Sequence, residues 1–307
     1  MRSAVVGIGS NSVRALVVEK TTGDTFVRCW RGREGTRLFA GLDGAGNLSP
    51  ESITRTAEAA GRLAAEARRL GAEEVDVFAT SAARDAANGA VFIGEIARQT
   101  GVEPVIISGE EEARLSFLGA SEAAGSGRCG VIDIGGGSTE IVTGTGEDID
   151  CAFSCQMGAV RLYRSIQLES RSDMAIAEKA ATEILCEKMA ETEGFRCPDV
   201  WVGTGGTFTT LAAMVKKVPW TDRTSMHGVR IARKEIREIG GELAEMTLEE
   251  RKKLPGLQPG RADIVVHGIC ILLAVMNHLG IPEIIISERG NMDGYLRRKL
   301  QGRKENG

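Results

Sequence analysis

Two apolar, largely β-branched runs, residues 131–134 and 141–142, flank three consecutive glycines at 135–137. Buried strands joined by a turn that must leave open space show this pattern. The chain opens the same way. Residues 5–16 align with residues 131–142, placing Ile8 and Gly9 on Ile134 and Gly135, and Ser12 on Ser138. An internal repeat at so long a spacing predicts a duplicated unit. The copies differ where chemistry is at stake, because Asp133 in the second answers to Gly7 in the first.

Between these anchors, period and punctuation predict the remaining elements. Residues 3–8, 13–19 and 24–30 read as a strand meander, its last two members joined by a turn at 21–24. Ser49 is a helix N-cap with Pro50 at the first helical position, and the alanine-rich helix that follows stops at Gly71. A strand at 75–79 delivers a polar turn at 80–85, then come a helix at 91–99 and a strand at 104–107. Ser108 precedes an acidic helix start, and the small, polar residues 121–127 read as a linker. In the second half the pattern predicts helices beginning at 157 and spanning 173–193, then a strand at 200–202 that runs into Gly203-Thr204-Gly205-Gly206-Thr207. A buried helix at 264–279, a strand at 284–286, a helix at 292–300 and a frayed basic tail complete the reading. The apolar run at 264–279 is interrupted by His267, Asn277 and His278 and falls short of the roughly 20 residues of a membrane span.

With 307 residues, 42% hydrophobic and 26% charged, the composition is that of a globular chain long enough for two cores. A formal net charge of −4 supplies no bulk attraction for nucleic acid or an anionic membrane, so neither is an expected partner. Seven cysteines without framework spacing suit a reducing cytoplasm, and no charged-then-apolar leader opens the sequence. Cys151 and Cys155, the one close pair, read as buried free thiols rather than metal ligands. His227, His267 and His278 are too scattered for a metal cluster.

The glycine turns are the candidate chemistry. Without a Cβ, backbone N–H groups approach an anion closely and point at its oxygens, so Gly135, Gly136 and Gly137 form a phosphate cradle. Asp133 and Glu140 border it, and carboxylates beside phosphate call for a divalent metal between them. Two such hairpins facing each other across a cleft would hold a phosphate chain from both sides. The loop holding Gly205 and Thr207 is a third place where amides at a helix start meet phosphate. Glu110 and Glu111 read as helix-dipole partners, worth about 0.3–1 kcal/mol each. Arg84 reads either as a phosphate ligand or as a partner of Asp85.

Taken together, Gly9-Ser10-Asn11-Ser12, residues 79–85, residues 107–114, residues 133–140 and residues 203–207 resemble, in order and spacing, the exopolyphosphatase and guanosine pentaphosphate phosphohydrolase family. The resemblance runs from the first strand to Ser287-Glu288-Arg289-Gly290. It implies duplicated α/β domains of the actin-like ATPase (ribonuclease H-like) type around a central cleft, in the short two-domain form that lacks the helical domains of longer relatives. Domain I would span 1–123, completed by a C-terminal helix at 288–307, and domain II 124–287. The implied activity is metal-dependent hydrolysis of a terminal phosphoanhydride, in inorganic polyphosphate or in guanosine pentaphosphate (pppGpp). Glu112 falls where the family places the glutamate that orients or deprotonates the attacking water. Asp133 and Glu140 match acidic positions expected to hold Mg²⁺. Arg84 matches a phosphate-reaching arginine, and Ser10, Asn11, Ser12, Gly136, Gly137 and Ser138 would supply donors.

Gly7 departs from the family pattern, which has a metal-arranging aspartate there. Three readings follow: an enzyme that uses Asp133, Glu140 and waters, a slow enzyme, or a phosphate binder that no longer cuts. We expect retained but metal-hungry activity. The rivals are an ATP-dependent kinase of the same fold and a non-catalytic sensor of polyphosphate or alarmone. Arg37, Arg161 and Arg297-Arg298-Lys299 are candidates for a basic groove that would set chain-length preference; the sequence leaves the oligomeric state open, a homodimer being one option.

Overall fold

Residues 1–21 and 25–302 are described by a computed structural model of the chain. Thr22, Gly23 and Asp24 of the expected turn lie outside the described residues, as does the basic tail beyond 302. The chain divides into two units, Met1–Gly119 with Asn291–Gly307, and Ala120–Gly290.

Unit 1 begins with the meander β1 (Arg2–Ile8), β2 (Ser12–Lys20) and β3 (Phe26–Gly35). Pairing is antiparallel in both steps, with Ile8 opposite Val13 and Val13 opposite Glu34. Helix α1 (Pro50–Arg69) starts at Ser49, whose Oγ accepts the Ser52 N–H at 3.2 Å, a cap worth about 1 kcal/mol. Gly71, at φ +86°, turns the chain after it. There follow β4 (Glu74–Ala79), α2 (Ser81–Asp85), α3 (Gly89–Thr100), the two-residue β5 (Val105–Ile106) and α4 (Gly109–Ala120). The polar stretch after β4, read as a turn, is therefore a short helix. The sheet order is β3-β2-β1-β4-β5, with β4 and β5 parallel to β1's direction.

Unit 2 repeats that plan. After a 3₁₀ turn at Ser121–Ala124 come β6 (Arg128–Ile134), β7 (Thr139–Thr145) and β8 (Asp148–Cys155), again an antiparallel meander. Helices α5 (Ala159–Ser165) and α6 (Met174–Ala190) precede β9 (Val200–Thr204) and α7 (Gly206–Lys216). Then β10 (Arg230–Ala232), α8 (Arg233–Glu245), α9 (Leu248–Arg251), α10 (Val265–His278) and β11 (Glu283–Ile286) complete the unit. Its sheet runs β10-β11-β9-β6-β7-β8, so β8-β7-β6-β9-β11 mirrors β3-β2-β1-β4-β5 strand for strand. Residues 265–276 of α10 are all buried, the mark of a helix packed on every side. They join Ile132, Ile134, Phe153 and Leu211 in the larger core.

The last helix, α11 (Asn291–Gly302), belongs to unit 1, where Leu296 and Leu300 enter a core with Val5, Leu16, Phe78 and Leu115. Ion pairs hold its outer face. Arg28 reaches Asp293, Arg298 reaches Glu111, and Lys299 reaches both Glu74, at 2.9 Å, and Asp76.

Candidate functional site

In each unit the sequence motifs sit at the carboxyl ends of the parallel strands, where open α/β sheets bind ligands. The loop after β1 is closed by the Gly9 N–H, which donates to the Ser12 carbonyl at 3.1 Å. Ser10, Asn11 and Ser12 are 4%, 7% and 3% exposed, so this turn is built in rather than draped over the surface. Its carbonyls are tied down from the segment after β3: Phe39 N–H donates to Ser10, and Thr36 and Arg37 N–H both donate to Asn11. Arg37 itself adopts φ +52°, an uncommon conformation for a residue with a side chain.

In the same unit, α2 presents Arg84 and α4 presents Glu112. The Arg84 Nη1 donates to Glu112 Oε2 at 2.9 Å and to the Ile107 carbonyl at 2.9 Å. Both side chains are largely enclosed, 16% and 9% exposed. Ser108 starts α4 by accepting the Glu111 N–H on its Oγ and the Glu112 N–H on its carbonyl. Arg84 thus takes Glu112, 28 residues on, as an ion-pair partner. A carboxylate anchored by a guanidinium is held in one orientation, which is what aiming a water requires. Glu110, by contrast, is 60% exposed and pairs with Arg114 one helical turn away.

The counterpart loop after β6 is built alike. Gly135 N–H donates to the Ser138 carbonyl at 2.9 Å, the same bond as between Gly9 and Ser12. Gly135 and Gly136 are half-buried, Ser138 is 2% exposed, and the loop is braced from α5. Val160 and Arg161 N–H donate to the Gly136 carbonyl at 2.8 and 3.0 Å, and Arg161 Nε donates to the Gly137 carbonyl at 2.7 Å. Gly158 is obligatory for that approach, because a Cβ there would come within 2.4 Å of the Gly136 carbonyl. Arg161, a candidate for a phosphate groove, is therefore a brace of the glycine turn.

Asp133 lies directly between Thr204 and Glu140 on adjoining strands, so the three side chains share one face. Its Oδ1 is turned to Gly205, which adopts φ +96° and could carry no Cβ, since one would sit 2.7 Å from that oxygen. Glu140 is 1% exposed and accepts the Ser154 hydroxyl at 2.8 Å. Burial, helped by the Glu140 charge, pushes the Cys155 thiol up to about 12. Cys151 and Cys155 are buried free thiols. Thr207 turns its hydroxyl away from the loop, into the interior against Gly268 of α10, where a Cβ would lie 2.3 Å from it. What Thr207 offers the loop is its N–H in the first turn of α7.

Among the described residues no group of three or more His, Cys, Asp or Glu side chains is arranged to hold a metal ion. Asp133 with Glu140 behind it does fit Mg²⁺, which is commonly bound by one or two carboxylates, waters and substrate phosphates. Asp133 would be the direct ligand, Glu140 the buried charge beside it.

Each unit thus carries, at the head of its sheet, a strand-turn-strand loop with the same closing bond, and unit 1 adds the Arg84–Glu112 pair. A model of the Ppx/GppA phosphatase family matches residues 16–302. The chain belongs to that family. It is 33% identical over 310 residues to exopolyphosphatase 2 of Mycobacterium tuberculosis, covering 95% of this chain and 97% of that one. To exopolyphosphatase 1 of Mycobacterium bovis it is 31% identical over 309 residues, covering 98% and 88%. Among solved structures, an exopolyphosphatase-like protein superposes with a TM-score of 0.88 at 27% identity, covering 98% of this chain and 99% of that chain. The Aquifex aeolicus Ppx/GppA family member gives 0.80 at 27% identity, covering 100% and 99%. The two units are accordingly the duplicated actin-like ATPase domains of Ppx/GppA proteins.

Of the histidines, His267 is packed in the interior of unit 2. His267 is 2% exposed, donates from Nε2 to the Ile166 carbonyl at 2.8 Å, and lies edge-on to Tyr163. Arg298 and Lys299 are spent on ion pairs within unit 1. Arg261 is a residue that sequence reasoning passed over. It is 5% exposed and packs its guanidinium against Gly206, where a Cβ would come within 2.2 Å of Cζ. A second glycine directly after Gly205 was the available signal.

Proposed function

We propose that the chain is an exopolyphosphatase that hydrolyses the terminal phosphoanhydride of inorganic polyphosphate or of guanosine pentaphosphate, with Mg²⁺, in the cytoplasm. The observation that carries this reading is the enclosed Arg84–Glu112 pair at the start of α4. Relatives that carry the exopolyphosphatase name along nearly the whole chain support it.

Phosphoryl transfer leaves little covalent work to the protein, so positioning and charge stabilisation dominate. Glu112 orients the attacking water and takes its proton as the new P–O bond forms. Arg84 fixes that carboxylate and presents a guanidinium to phosphate oxygens. Backbone N–H groups of the loop at 9–12, in the same unit as Glu112, hold phosphate oxygens, and the loop at 135–138 offers unit 2 a cradle of the same kind. Amides fixed in place cost no reorganisation as charge moves to the leaving oxygen. A divalent ion at Asp133, when bound, supplies neutralisation of the phosphate charge.

The test is phosphate release from polyphosphates of graded length and from guanosine pentaphosphate, across a Mg²⁺ titration. Turnover of neither at any metal level refutes the reading. Gly7 is the one observation that favours the rival of a sensor, for which calorimetry would show tight binding without product. ATP consumption that depends on an added alcohol or acid, with polyphosphate untouched, would instead mark a kinase.

A further inference from the structure

Helix α2, which carries Arg84, has five residues, and Thr80 before it makes no side-chain cap. A helix that short does not hold itself in place. Its start continues the sheet, since Thr80 N–H donates to the Ile8 carbonyl at 3.1 Å. Its far end needs another support, because Ala86 returns to an extended conformation and the chain turns at once into α3.

That support comes from the segment before α1. Leu42 and Leu48 face each other as an antiparallel pair whose hydrogen bonds lie to either side, Ser49 N–H to the Gly41 carbonyl at 3.0 Å and Asp43 N–H to the Asn47 carbonyl at 2.9 Å. In a pair of this kind the N–H and C=O of Leu48 itself point away from Leu42. Asn88 takes both. Its Oδ1 accepts the Leu48 N–H and its Nδ2 donates to the Leu48 carbonyl, each at 2.9 Å. An amide side chain, with donor and acceptor side by side, stands in here for a neighbouring strand. Ala87 N–H adds a bond to the Gly46 carbonyl at 2.8 Å. The part that is gripped is itself fixed: Leu48 is buried, and Asp43 Oδ1 accepts the N–H groups of Ala45 and Asn47.

Asn88 stands at the N-cap of α3, where asparagine is among the favoured residues, yet its side chain makes no capping bond there. The cap is forgone for the clasp on Leu48. Four residues earlier, Arg84 crosses to Glu112 and to the Ile107 carbonyl, both at 2.9 Å, and a displacement of about 1 Å at such a site costs about 10²-fold in rate. We propose that Asn88 is a positioning residue, whose two bonds to Leu48 fix the C-terminal end of α2 and so set where Arg84 holds Glu112. The inference rests on the roles given to Arg84 and Glu112 above.

The test compares the full chain with Asn88→Ser, which deletes the clasp but can still cap α3, alone and combined with Arg84→Lys. Phosphate release, thermal melts and amide hydrogen exchange over residues 80–90, read by mass spectrometry, are the measurements. Asn88→Ser should lower kcat by about 10–100-fold while Tm moves by only a few degrees, and exchange at 80–90 should quicken at least about tenfold. A kcat per folded molecule within about twofold of wild type is what a role in stability alone would give, and it overturns the proposal. With Arg84→Lys already in place the guanidinium fork is gone, so the loss from Asn88→Ser should shrink; an undiminished loss overturns the action through Arg84. Exchange at 80–90 equal to wild type overturns the clasp whatever the activity. Wild type without turnover sinks the hydrolase reading instead, and the exchange measurement then decides the clasp by itself.

Discussion

Replacing Glu112 with glutamine is the sharpest perturbation the structure offers. The substitution keeps the side-chain volume and a carbonyl-type acceptor for Arg84 Nη1, now 2.9 Å from Glu112 Oε2, but deletes the charge. A positioned carboxylate acting on water is worth about 10²–10⁴ in rate, or about 3–5.5 kcal/mol of barrier. The folding cost is smaller, since a charge-assisted bond becomes a neutral one, a loss of about 1 kcal/mol. Phosphate release should therefore fall by about 10³-fold while the melting temperature moves by only a few degrees. Glu112→Ala separates the two effects. It strands a guanidinium that is 16% exposed and costs about 3 kcal/mol, the low end for a broken buried pair because the Ile107 carbonyl remains. A glutamine variant that turns over within about tenfold of wild type would refute the assignment of Glu112.

Other perturbations report on the supports of the site. Gly205→Ala forces a Cβ to 2.7 Å from Asp133 Oδ1 at φ +96°, and should lose about 1–3 kcal/mol in denaturant melts together with phosphate release; retained stability would refute the close approach. Gly158→Ala should unseat the 135–138 loop, raising KM more than it lowers the melting temperature, and an unchanged KM would show that α5 does not brace it. Burial holds the His267 imidazole below its ordinary 6.5, so the unfolded chain binds the proton more readily. Stability should decline as pH falls below about 6.5, and the decline should flatten in His267→Gln, read by melts on either side of that pH. Alkylation of the native protein near neutral pH should reach the exposed Cys29, Cys186 and Cys197 and spare the buried Cys129, pushed to about 11, and Cys155, pushed to about 12. Modification of Cys155 before unfolding would contradict its enclosure.

The elements that were legible in the sequence are those whose signal is local. The meander β1–β3, the Ser49-Pro50 helix start, the strand at β4 and the buried α10 all follow from period, caps and turn residues. Helix α8 went unread although Ile236, Ile239 and Leu243 repeat at helical spacing, because Gly240 and Gly241 interrupt it. Those glycines answer to distant neighbours: a Cβ on either would come within 2.7 Å of Ile269 or Arg171. Strands β8 and β10 were missed for a related reason. They lie at sheet edges, where alternation is half solvent-facing and carries little apolar signal.

Residue order alone determined the repeat, the two glycine turns and the absence of a carboxylate at position 7, because these depend on backbone permissiveness and β-branched periodicity over a dozen residues. Partner choice was decided only by the tertiary structure. Arg84 took Glu112, 28 residues along the chain; Arg161, a groove candidate, braces the glycine turn; the Thr207 hydroxyl packs inward against Gly268. Local preference reaches about one helical turn or one hairpin, whereas packing selects contacts by shape and charge among residues that the chain brings together from its two ends.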